Sequence, residues 1–383
     1  MQTIPLHTNM KLAIYTGGYL PEKFRVPLHT ICQQIKMLAV QETNHQFILI
    51  GEALTMHQFE WPGNCTVIEL NKPPRFVLSK KNWHHRAVQQ IIRREKPDIM
   101  LASFDGFYYR FAIPLLLWLN DLSFLEKELG VKKRKISGSK KLLQKNLAKA
   151  NAIIVTTHYL QSVLEQQMQI PTSKIHVIQP LVDASFSPVD INEKMKIKNE
   201  LTQHKEYFMV VAAYYNDALL IDILKTYSVF KKRQLSGMKL LLVLQNCETI
   251  QSFKKIFSTY KYRNDVLLKI NPSVGDMQKW ISAAYGIVYP VQAEIHSPFL
   301  LEAMQMAVPL MAYPTTINKE LAGAAALYAD EMAYTALADK MMLLYKDESL
   351  KAVQVQKGLE QLHKRQAEAD LSNLWGLLQH AVG

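Results

Sequence analysis

The sequence predicts an α/β protein made of two parallel-sheet domains, and three observations carry that prediction. Short apolar, β-rich runs alternate with helical patterns along the chain, as strand–helix–strand units require. The length, 383 residues, suits two domains of ordinary size. Between them lies a polar, helix-breaking stretch, Gln179-Pro-Leu-Val-Asp-Ala-Ser-Phe-Ser-Pro188, which reads as a linker. The expected domains are 10–188 and 189–360, with a terminal helical segment, 361–383.

In the first domain the expected strands are 12–16, 46–50, 66–70, 99–103, 115–119, 152–156 and 174–178. Most are near-continuous apolar runs, the pattern of strands covered on both faces. Helical periodicity places helices at 28–40, 80–95, 139–149 and 158–167, the last capped by Thr157. In the second domain strands are expected at 207–213, 239–244, 265–270, 286–289 and 309–313. Helices fit 218–233, 249–259, 276–284, 298–307 and 332–345. The tail from 348 to 381 is helical in pattern, with Trp375 on its apolar face.

Composition is that of an ordinary globular protein, 49% hydrophobic and 20% charged. The longest apolar run, Phe111 to Leu119, is interrupted by Pro114 and is too short to span a bilayer. The first ten residues lack a charged n-region and an apolar h-region, so no signal peptide is expected. Three scattered cysteines, Cys32, Cys65 and Cys247, suggest reduced thiols, neither a disulfide framework nor a metal site. A cytoplasmic location follows as the expectation. The net charge of +12 is uneven: residues 1–188 hold 23 basic against 13 acidic residues, an excess of ten. Such a half suits an anionic membrane surface, a phosphorylated acceptor or nucleic acid, or simply a solubilising surface charge.

The chemistry concentrates in Tyr289-Pro-Val-Gln-Ala-Glu-Ile-His-Ser-Pro-Phe-Leu-Leu-Glu-Ala-Met304. It runs from a strand into a helix. Glu294 and Glu302 stand eight positions apart, Ser297 occupies an N-cap position and Pro298 the first helical one. Free N–H groups at such a junction form an anion site. A carboxylate further along the helix can accept hydrogen bonds from ribose hydroxyls.

This stretch resembles the Glu-x7-Glu motif of family 4 glycosyltransferases of the bacterial group 1 type. Other segments resemble that family in the same order. They include Asp105-Gly-Phe, Ile113-Pro114, Asn120-Asp121-Leu122, Ala150–Tyr159, Val182-Asp183, the 224–232 helix and Lys319-Glu-Leu-Ala-Gly-Ala-Ala325. The resemblance implies the GT-B fold, two Rossmann-like domains facing an interdomain cleft. It also implies retaining, metal-independent transfer from a UDP- or GDP-linked sugar, without a cofactor. Glu294 is then expected to position the donor sugar and Glu302 to hold the ribose. Ser297, Pro298 and Phe299 would line the donor subsite at the helix start. Asn120 and Asp121 are carried over beside Glu294 as catalytic candidates. The acceptor implied is a surface polysaccharide or glycolipid.

Several chemistry-bearing positions depart from the family pattern. Its Gly-rich loop aligns with Arg25-Val26-Pro27-Leu28, which lacks glycine's open backbone. Gly17 and Gly18, just upstream, are the candidates to supply it, and Gly18 is placed with the donor-binding residues. A family His aligns with Asn120, which cannot titrate. The Arg and Lys that clamp the diphosphate align with Asp217 and Ala218, so the main anion-stabilising charge is lost there. A transferase-like binding or scaffold protein is therefore the alternative. Substitute cations, Lys23, Arg25 or Lys319, would favour the enzyme.

Finally, Lys140, Lys141, Lys145 and Lys149 share a segment with Leu142, Leu143 and Leu147. This basic amphipathic pattern suits either an anionic lipid surface, giving a peripheral membrane protein, or a helix covering the sheet. No nucleic-acid motif accompanies it.

Overall fold

The computed structural model describes residues 9–16, 26–51, 59–71, 80–104, 108–120, 122, 133–179, 181–212, 216–244, 250–292, 294, 297–368 and 371–382. Among these, every strand pairs in parallel with its neighbours. The chain separates into two units, Met1–Leu181 with Glu368–Gly383, and Val182–Ala367.

The first unit holds strands β1 (Lys11–Tyr15), β2 (Gln46–Gly51), β3 (Cys65–Glu69), β4 (Ile99–Ser103), β5 (Leu115–Leu119), β6 (Ala152–Val155) and β7 (Ile175–Val177). They form one sheet in the order β3-β2-β1-β4-β5-β6-β7. The first helices are α1 (Val26–Gln41), α2 (Lys80–Glu95), α3 (Lys133–Lys149) and α4 (His158–Met168). Alternation within each strand feeds two cores. Ala13, Tyr15, Met100, Leu117 and Ile153 meet Val88, Ile91, Leu143, Leu147 and Leu160 of α2, α3 and α4 on one face. Leu12, Ile14, Leu101, Leu116 and Trp118 meet Ile31, Ile35 and Leu38 of α1 on the other. The basic segment is thus a helix whose leucines are spent on the sheet, and it begins at Lys133, earlier than the periodicity indicated. Thr157 caps α4 as expected, accepting from the Leu160 amide at 3.2 Å.

The second unit continues with α5 (Ile191–Thr202), β8 (Tyr207–Ala212), α6 (Asp217–Arg233), β9 (Lys239–Leu244), α7 (Gln251–Ser258) and β10 (Val266–Ile270). It goes on through α8 (Val274–Ser282), β11 (Gly286–Tyr289), α9 (Pro298–Gln305), β12 (Leu310–Ala312), α10 (Thr316–Ala322), β13 (Ala326–Tyr328), α11 (Tyr334–Lys346) and α12 (Glu348–Glu368). Its sheet order is β10-β9-β8-β11-β12-β13. Three of these elements, α5, α10 and β13, were not expected. The α5 helix carries a legible start, since Asp190 caps it by accepting from the Glu193 amide at 2.9 Å. The other two are only seven and three residues long, and such short elements depend on neighbours more than on their own periodicity.

The last helix, α13 (Leu371–Val382), belongs to the first unit. Leu371, Leu374, Trp375 and Leu378 join the core built on α1. The Trp375 ring meets His45 edge-on at 4.5 Å, and His45 is fixed by its Nδ1, which accepts from the Met10 amide at 2.9 Å. Removing a buried tryptophan leaves a cavity that a parallel sheet cannot close. Trp375→Ala is therefore expected to destabilise the first unit by roughly 3–5 kcal/mol. Urea unfolding of the full chain measures this. An unshifted first-unit transition means that α13 adds no stability.

Candidate donor site in the second domain

In parallel α/β sheets, ligands bind at the carboxyl ends of the strands, where the following helices present their N-termini. In the second unit, β11 runs through Pro290 and Val291 to Ser297, where α9 begins. Ser297 has extended backbone (φ −125°, ψ 118°) at the N-cap, yet its hydroxyl does not cap the helix. That hydroxyl oxygen is buried and has no hydrogen-bond partner, with Ser297 only 2% exposed. Pro298 at the first helical position has no N–H to satisfy, whereas the N–H groups that follow it lie in the first turn, which forms no intrahelical bonds. Phe299, the second residue of the helix, is buried.

Glu302 lies one turn further along, 3% exposed. Among the described residues, none donates a hydrogen bond to its carboxyl. Burial, with the Asp183 carboxylate adding repulsion, pushes its pKa up to about 8. The usual carboxylate value is 4.5, so the group prefers its neutral form in the fold. Its contribution to stability is complete below that value and is lost as pH rises through about 8. Asp183 itself was legible only as part of the linker and of the Val182-Asp183 pair that resembles the family. Nothing in the sequence placed it beside a residue so distant in the chain.

Glu294 is held differently. Its Oε1 accepts from the Thr316 amide and its Oε2 from the Ile317 amide, both at 2.8 Å. Glu294 thus serves the first turn of α10, while the Thr315 hydroxyl accepts from the Asn318 amide at 3.1 Å. Charged acceptors at a helix N-terminus are stabilising, and two direct bonds make this a strong brace. The sequence offered no sign of it, because α10 was itself unseen.

Asp217 is the first residue of α6 and is exposed, as is Ala218 beside it. Asn216 caps that helix, its Oδ1 accepting from the Leu219 amide at 2.8 Å. Lys319 is exposed in the last turn of α10. Among the described residues, no group of three or more His, Cys, Asp or Glu side chains is arranged to hold a metal ion.

In the first unit, Asn120 follows β5 and is buried, and its Oδ1 accepts from the Trp118 indole at 2.7 Å. That bond fixes which way the amide faces. Gly17, Gly18, Lys23, Arg25, Asp105, Asp121 and His296 lie outside the described residues. Of the four lysines assigned to a lipid surface, Lys140, Lys141 and Lys145 are exposed. Lys149 is not free: its Nζ donates to the Tyr109 carbonyl at 2.8 Å and the Phe111 carbonyl at 2.6 Å. Desolvation holds its pKa below the usual lysine value. It ties α3 to the 109–111 segment.

No curated protein matches the sequence at a significant level. The family model described as Glycosyltransferase Family 4 matches residues 39–186. Solved structures match over nearly the whole chain. Sucrose-phosphate synthase from Thermosynechococcus elongatus superposes with a TM-score of 0.75 at 12% identity, covering 97% of this chain and 98% of that one. WaaG, a glycosyltransferase involved in lipopolysaccharide biosynthesis, gives 0.72 at 11%, covering 94% and 99%. Anabaena HepE, solved with UDP-glucose, gives 0.72 at 14%, covering 97% and 99%. At such identities the structures speak for the fold alone: the chain has the GT-B fold, and within it residues 39–186 match the Glycosyltransferase Family 4 model.

Proposed function

We propose that the protein transfers a sugar from a UDP- or GDP-linked donor to a surface-polysaccharide or glycolipid acceptor, with retention of configuration and no required metal ion. The observation that carries this reading is the junction between β11 and α9. A buried Glu302 carboxyl, to which none of the described residues donates a hydrogen bond, and a buried Ser297 hydroxyl without a partner among them stand on one helix start. Buried polar groups are ordinarily paired, so two unpaired ones mark a place shaped for an external partner. A nucleotide sugar supplies the complement. Ribose hydroxyls donate to Glu302, and sugar or phosphate oxygens meet Ser297 and the first-turn amides. HepE, which shares the fold, has been solved with UDP-glucose.

In this assignment Glu294 acts on the donor through the loop it braces, with its oxygens committed to Thr316 and Ile317. Pro298 and Phe299 shape the junction. The first domain receives the acceptor, with Asn120 and Asp121 as catalytic candidates and Gly18 kept among the donor-binding residues. The exposed Lys140, Lys141 and Lys145 provide an electrostatic contact to an anionic membrane surface on the cytoplasmic side. Among the described side chains of their helix, Leu143 and Leu147 lie in the core and Leu142 packs against it, so these leucines are not free to insert.

A second reading, a binding or scaffold protein without turnover, is favoured by Asp217. An exposed carboxylate stands at the first position of α6, where the family places a cation for the diphosphate. Departure of a nucleoside diphosphate leaves negative charge that Asp217 cannot stabilise.

Calorimetric titration with UDP and GDP tests the donor assignment. Glu302→Ala is expected to weaken binding by roughly 1.5–3 kcal/mol, the range for hydrogen bonds to charged groups. Equal affinity of mutant and wild type removes the carboxylate from the site. The same titration separates enzyme from scaffold. Asp217→Arg with Ala218→Lys is expected to tighten nucleotide binding at least roughly tenfold, about 1.4 kcal/mol. Turnover appearing only in that variant identifies a transferase that has lost its clamp; turnover by the wild type excludes the scaffold. For the membrane contact, the triple change of Lys140, Lys141 and Lys145 to Gln should reduce co-sedimentation with anionic vesicles, and raised salt should do the same. No sedimentation of wild type at low salt returns α3 to a purely structural role.

A further inference from the structure

Glu302 and Gln305 stand one turn apart on α9, and both act on the same short segment. The Gln305 Nε2 donates to the Asp183 carbonyl at 3.0 Å, across 122 positions of sequence. The Phe186 amide donates to that same carbonyl at 3.0 Å. The Asp183 Oδ1 accepts from the Ser185 amide at 2.8 Å, and the Ser185 hydroxyl accepts from Gln278 of α8 at 2.7 Å. The 183–186 turn is therefore pinned to two helices, with its carboxylate held within electrostatic reach of a buried carboxyl.

Two like charges at such a site cannot both form cheaply. The elements packed against α9 carry few other charges. On α8 there are Asp276 and Lys279, on α10 Lys319 and Glu320, and on β12 none. Gly358 of α12 lies against Met304, with Lys357 and Glu360 close by in sequence. Among the described charged groups, the Asp183 carboxylate adds repulsion at Glu302 to the larger effect of burial.

We propose that Asp183 is a positioning residue for the donor site, acting through Glu302. Burial makes the Glu302 carboxyl neutral, and the carboxylate on the pinned turn reinforces this until the hydroxyls of a ribose diol reach it, so that nucleotide binding expels one proton to solvent. This rests on Glu302 being the ribose acceptor. No covalent bond to the nucleotide changes. The Glu302 O–H bond ionises, its proton leaves, and both oxygens become acceptors for the diol. The sign follows from the balance. Below the midpoint near pH 8, nucleotide affinity rises with pH, by about tenfold per unit, and levels off above it.

The test uses the full chain and Asp183→Asn. Asparagine keeps the Oδ1 for the Ser185 amide and the backbone carbonyl for Gln305, and removes only the charge. Carbon-13 NMR of glutamate carboxyls, with Glu302 assigned by its loss in Glu302→Gln, reads the ionisation midpoint directly and without nucleotide. The midpoint is expected to fall by roughly one unit in Asp183→Asn. An unchanged midpoint overturns the proposal. UDP calorimetry at pH 7, in two buffers of different protonation enthalpy, counts the protons released. Wild type is expected to release close to one proton per UDP, Asp183→Asn fewer with tighter binding, and Glu302→Gln none. UDP binding without proton release by wild type overturns the proposal and leaves the donor reading standing. If no variant binds UDP or GDP at any pH, the donor reading falls and the ligand coupling falls with it.

Discussion

A parallel sheet has to be covered on both faces, and this constraint organises the protein. Every described strand pairs in parallel, so each connection crosses back over the sheet, usually as a helix. Strands buried on both faces are apolar at nearly every position, as in Phe47–Ile50 and Leu115–Leu119. Polar chemistry is thereby driven to the strand ends, and the helix starts that follow them carry the unpaired N–H groups. The site between β11 and α9 exists because of this geometry, before any particular side chain is considered.

Within that frame, Glu302 is the costly residue. A carboxyl buried without hydrogen-bond donors gives up its hydration, and it escapes the full penalty by staying neutral. Ser297 makes a similar sacrifice with its unpartnered hydroxyl. The cost is local, because the surrounding apolar residues, Leu300, Leu301 and Met304, are fully at home in the core. A helix that is almost wholly buried yet carries one carboxyl and one free hydroxyl at its start is better suited to binding than to packing.

The two glutamates of the motif divide the work. Glu294 is satisfied by two backbone amides and secures the loop to α10. Glu302 is unsatisfied and responds to whatever arrives. Asp217, by contrast, is exposed at the first position of α6. Lys149 shows the same division in the first domain, being a structural tie among lysines that are otherwise free at the surface.

Periodicity and composition by themselves determined the α/β class, the strand–helix alternation, and the placement of Glu302 on a helix started by Ser297 and Pro298. These are local properties: a strand buried on both faces must be apolar, and a helix start needs its particular residues. The same reading missed α10 and β13, because elements of seven and three residues are stabilised by neighbours and carry little periodicity of their own. It also counted Lys149 with the exposed lysines, since helical spacing does not reveal a carbonyl waiting across a loop. Only the tertiary structure brought Asp183 to Glu302 and the α10 amides to Glu294. Charge and hydrogen bonding act through space, and residues more than a hundred positions apart have no periodicity that records their meeting.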